Sequence, residues 1–174
     1  MYSVAMEGFL SKENIKMHTC YLNELKLKCS ILEKSCPDLI GKDLSEIKSL
    51  RISRDLKESA LKIKFQIMAH EIYFSSFAEN VGRCDFLKKY YSSKESFLYE
   101  LFVSAKYCET EFLFIYAEKN GRPVIADGGK RLVERPVLAL DLCEHSYFSD
   151  YAFNKDEYIK RAVNSLDLSK LEIR

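Results

Sequence analysis

The stretch Val137-Leu138-Ala139-Leu140-Asp141-Leu142-Cys143-Glu144-His145-Ser146-Tyr147-Phe148-Ser149-Asp150-Tyr151 carries most of the information in this chain. The run from Pro136 to Leu142 is nearly continuously apolar and predicts a buried strand. Asp141 and His145 stand at its exit, where a carboxylate and an imidazole four positions apart can converge on one point. Such a pair suits iron, manganese or zinc. The same two residues have a simpler reading: an Asp that caps the following turn, and a surface His.

Working outward, the chain has 3 histidines, and none falls in a polar tract. His70 lies in the apolar end of a predicted helix from about 54 to 77, with Gln66 one turn earlier on the same side. A buried His needs a partner, which is either a metal or a backbone carbonyl, and Gln66 reads equally as a surface residue. His18 falls on a first helix, from Lys12 to about Leu32 after the N-cap candidate Ser11, in register with Ile15, Leu22, Leu25 and Cys29. Taken jointly, three imidazoles and one carboxylate make a shell of net charge −1 with room for a solvent ligand, as a redox or Lewis-acid site requires.

The remaining elements follow from pattern. Pro37 and Gly41 break the segment 35–53, with a short helix around Leu44 to Leu50. Lys94 to Lys106 reads as an amphipathic helix with Phe97, Leu98, Leu101 and Phe102 inward. Phe112 to Ala117 and Pro123 to Ala126 flank Asn120-Gly121, a strong hairpin signal. A last helix covers about Lys155 to Leu166. The fold class is therefore α+β: an N-terminal helical hairpin (1–82) followed by an α/β domain (83–174) with a small three-stranded antiparallel sheet.

Composition narrows the function classes. At 174 residues and 47% hydrophobic, the chain can build a real core. Its formal net charge of +1 lacks the basic excess of a nucleic-acid binder. No stretch approaches the roughly 20 apolar residues of a membrane span, and Met1 to Phe9 does not read as a secretory signal. The 6 cysteines form no Cys-x-x-Cys pair, so reduced thiols in a cytoplasmic protein are expected.

The stretch Asp141 to Tyr151 resembles the iron/manganese superoxide dismutase motif D-x-W-E-H-A-Y-Y-x-D-Y. Gln66-Ile67-Met68-Ala69-His70-Glu71-Ile72-Tyr73-Phe74 resembles the family's Q-x-W-N-H-x-F-Y-W, and Leu10 to His18 resembles I-S-x-E-T-x-x-x-H. Tyr158 and Val163-Asn164 are similar to the C-terminal P-x-Y…V-N-W. The resemblance implies a mononuclear site with His18, His70, Asp141 and His145 as ligands, superoxide as substrate, and a homodimer with Glu144 at the interface. It implies iron over manganese, because Gln66 sits where iron-type members carry the Gln beside bound solvent, and Asp127-Gly128-Gly129 has no Gln.

The chain also departs from the pattern. It has 0 tryptophans. Cys143, Ala69 and Phe148 replace family residues, and Lys155 stands for the Arg of R-P-x-Y. Leu22 and Lys26 fall at the family's second helix His and gateway Tyr, so Tyr21 serves as gateway only with a register shift. Glu109-Thr110-Glu111 replaces Gly-Ser-Gly, and the Pro-rich leader is almost absent. These changes keep two competitors in play: a metalloprotein of this fold with little dismutase activity, and a non-enzymatic scaffold.

Overall fold

Ser11 opens the first long helix: its Oγ accepts the Asn14 N–H at 3.1 Å, satisfying one of the donors that a helix start leaves free. The computed structural model describes residues 4–79, 84–128 and 135–172, and helix α1 spans Lys12–Ser35. Its buried face carries Ile15, His18, Leu22, Leu25 and Cys29, the three-and-four spacing of the sequence. Asp43 and Glu46 form a capping box that starts the short α2, Leu44–Ser49. Helix α3, Arg54–Ser75, packs against α1 and buries Gln66, Ala69, His70, Tyr73 and Phe74 near its C-terminal end.

Helix α4, Lys94–Lys106, turns Phe97 and Leu101 into the core, with Leu98 and Phe102 partly buried against it. Strands β1 (Phe112–Ala117), β2 (Pro123–Asp127) and β3 (Leu138–Asp141) form an antiparallel sheet in the order β2-β1-β3. Gly121 turns the hairpin with φ +84°, a conformation that glycine adopts without a steric penalty. Phe112 pairs with Asp141, so the start of the central strand lies beside the end of β3. The sequence thus reads the α+β architecture correctly, with a helical part ahead of a small sheet. Its expected domain boundary at 82/83 lies outside the described residues.

One element is new. The segment after β3 is a helix, α5 (Glu144–Tyr151), not merely a turn. Cys143 occupies its N-cap without a side-chain capping bond, so the usual Ser, Thr, Asp or Asn signal is missing. Helix α6, Lys155–Asn164, follows, and Leu168–Leu171 forms a closing 3-10 turn.

Hydrogen bonds tie these elements in pairs. Ser76, at the end of α3, accepts the Ala139 N–H of β3 on its Oγ at 2.8 Å. Asn14 of α1 donates to the Ser146 carbonyl of α5 at 3.2 Å, and the Ser11 N–H donates to Asp150 at 2.8 Å. The first tie holds α3 against β3, and the others hold α1 against α5. Among the described residues no helix is long and apolar enough to cross a membrane.

Candidate metal centre

Each of the four elements so tied carries one residue to a common point. His18 comes from α1, His70 from α3, Asp141 from the end of β3 and His145 from the second position of α5. One potential ligand atom from each lies within 4.8 Å of all the others. Asp141 Oδ2 is the hub, 3.1 Å from His18 Nε2 and 3.4 Å from both His70 Nε2 and His145 Nε2. His18, His70 and Asp141 have fully buried side chains, whereas His145 leaves 40% of its side chain exposed.

The surroundings aim these atoms. His70 Nδ1 lies 2.6 Å from the Gln66 carbonyl one turn earlier. A carbonyl only accepts, so Nδ1 carries the proton and the Nε2 lone pair faces the cluster. Asp141 Oδ1 accepts the Cys143 N–H at 3.0 Å, which leaves Oδ2 turned toward the imidazoles. The Asp141 carbonyl accepts the Tyr158 hydroxyl at 2.7 Å, and Tyr158 meets Tyr73 Oη at 3.2 Å. The simpler readings of Asp141 and His70 hold for the atoms turned away from the cluster: one caps a turn and the other bonds a carbonyl.

The cluster fits a cation. Asp141 Oδ2 and both ring nitrogens of His18 are buried without a hydrogen bond of acceptable geometry. Buried polar atoms in that state cost about 1–3 kcal/mol each, and such exceptions call for an occupant. Burial alone would raise the Asp141 pKa, but the His145 and His18 imidazoles outweigh it and hold the carboxyl well below its ordinary range. Burial keeps His70 below the ordinary His value. Burial also lowers His145, but Asp141 more than offsets it and the net shift is upward. One carboxylate oxygen with three imidazole nitrogens is a donor set that fits iron or manganese.

Tyr21 borders the same point, its ring centroid 5.3 Å from that of His70 and 5.0 Å from that of His145. It does so from an unbroken α1, so no register shift is involved: three residues past His18 is the same helix face. Lys26, at the family's gateway position, is instead engaged by Glu71 at 2.7 Å. The reading from sequence missed one group altogether. Gln66 Nε2 donates to the carboxylate of Glu111, 45 positions away in the chain.

Comparison with known proteins follows the same line. Residues 74–174 match the profile of iron/manganese superoxide dismutases, C-terminal domain. That region holds the sheet, Asp141 and His145; His18 and His70 lie N-terminal to it. No curated protein matches the chain. The match covers more than half of the sequence, and the chain belongs to the iron/manganese superoxide dismutase family.

Proposed function

We propose that this protein holds one iron ion on His18, His70, Asp141 and His145 and converts two superoxide anions and two protons to oxygen and hydrogen peroxide. The observation that carries the reading is the convergence of three imidazole nitrogens on one buried carboxylate oxygen. A bound ion supplies the one-electron couple for both half-reactions. Gln66, one turn before His70 and buried, supports iron over manganese in the way that the family resemblance implies. Its amide would sit beside metal-bound solvent and tune its proton affinity. Tyr21 stands against two of the donors with a hydroxyl that can give a proton to the departing product.

The exposed side of His145 and of Glu144 supports a homodimer, in which Glu144 of each chain would bond the ligand His of the other. The free cysteines support a reducing compartment such as the cytoplasm. One observation favours a second reading, a metalloprotein of this fold with slow dismutation: the family's gateway position holds Lys26 in an ion pair with Glu71. Stopped-flow superoxide decay on iron-reconstituted protein, with His70→Ala as control, separates the two. Fast decay that vanishes in the variant supports the dismutase. Iron bound in full with no acceleration overturns it in favour of the second reading.

A further inference from the structure

Glu111 immediately precedes β1, and its carbonyl accepts the Leu142 N–H at 2.8 Å. It is thereby fixed across the sheet from the residue that follows Asp141. Its side chain is exposed, yet its carboxylate reaches Gln66, which is only 8% exposed. A carboxylate has no proton to give, so the Gln66 amide must turn its nitrogen, not its oxygen, toward Glu111. A charged acceptor makes such a bond roughly twice as strong as a neutral one. The backbone of the same Gln66 holds His70 Nδ1 at 2.6 Å. One residue thus links Glu111 to a metal-ligand candidate.

The family motif supplies no such group, since Gly-Ser-Gly stands where this chain has Glu109-Thr110-Glu111.

We propose that Glu111 is a positioning residue for Gln66, fixing the orientation of its amide and adding a negative charge beside the metal that favours the oxidised ion. The proposal rests on the iron-binding reading above. A carboxylate near a redox ion stabilises the more positive state by simple Coulomb attraction. Glu111→Gln removes the charge and keeps the size, Glu111→Asp keeps the charge on a shorter arm, and Glu111→Leu removes both charge and acceptor.

Two readouts test this, and neither is turnover. In metal-free 15N-labelled protein, Glu111→Leu is expected to shift the Gln66 side-chain N–H resonances and speed their exchange with water. In iron-loaded protein, Glu111→Gln is expected to raise the midpoint potential by about 59 mV or more, a tenfold change in the oxidised-to-reduced ratio. Glu111→Asp is expected to stay closer to the wild type, with iron content equal throughout. Unchanged Gln66 resonances and an unchanged midpoint, at full iron content, would overturn the proposal. A wild type that holds no iron overturns the metal reading and the tuning with it. The resonances of the metal-free protein report the Glu111–Gln66 contact separately, so the two failures are distinguishable.

Discussion

Asn14 Nδ2 donates to the Ser146 carbonyl at 3.2 Å, one helical turn before His18 and one residue after His145. Two candidate ligands far apart in the chain are registered by this buried bond. Asn14→Ala removes this bond while the Ser146 carbonyl keeps its place in helix α5, and is expected to destabilise the protein by about 0.5–1.5 kcal/mol. Urea denaturation of the metal-free form checks this. Iron retained after dialysis is expected to fall in the same variant. Iron retained as in the wild type would show that packing and the remaining Ser11–Asp150 bond suffice to register α1 and α5.

Much of this arrangement was legible in the sequence. His70 and Asp141 sit where apolar periodicity and the β3 run put them, because burial at helix and strand spacing leaves a clear pattern, whereas a Gln on a helix reads equally as surface and the burial of Gln66 needed the structure. Helix α5 was hidden because Cys143 cannot cap, and its first turn, Glu144-His145-Ser146, is polar. The family's gateway position falls two turns along the helix, whereas Tyr21, three residues past His18, already shares the face of that His. The Glu111–Gln66 bond was invisible because its partners meet only when β1 packs beside α3. No local pattern encodes that meeting.

On the proposed reading, the Asp141 hub makes stability depend on metal. At free iron about a hundredfold above its dissociation constant, binding contributes about 2.7 kcal/mol. For a chain of this size that corresponds to roughly 5–10 °C of melting temperature. Chelation is expected to remove this increment from the wild type and to change nothing in Asp141→Asn, which loses the charged donor. Calorimetry with and without chelator decides it, and an equal response of the two proteins would place the metal elsewhere.

His70 and His145 are expected to give the metal-free protein opposite pH slopes. Burial puts the folded pKa of His70 below its unfolded value, so between the two the unfolded chain binds more protons. Its contribution is therefore lost as pH falls below about 6.5. The folded pKa of His145 lies above the unfolded value because Asp141 outweighs burial. Its contribution is complete below about 6.5 and fades as pH rises through the folded pKa. On acidification from neutral, His70→Gln is expected to lose less stability than the wild type, and His145→Gln more. Urea midpoints across this range measure both, and identical slopes in the two variants would contradict the assignment.

Tyr21 offers the cleanest separation of proton supply from metal binding. Its ring packs against His70 and His145 at 5.3 and 5.0 Å, and Tyr21→Phe keeps that packing while deleting only the hydroxyl. Iron content and the melting temperature are therefore expected to stay at wild-type values. A positioned proton donor contributes roughly 10²–10⁴-fold, so superoxide decay is expected to slow by about a hundredfold, the lower end, because solvent also reaches the half-open side of His145. Lys26→Ala breaks the ion pair with Glu71 without touching the cluster and serves as the control for a general change in that wall. Slowing in Tyr21→Phe alone assigns proton delivery to Tyr21. Slowing in Lys26→Ala alone would move that role to the Lys26–Glu71 pair, one turn further along α1.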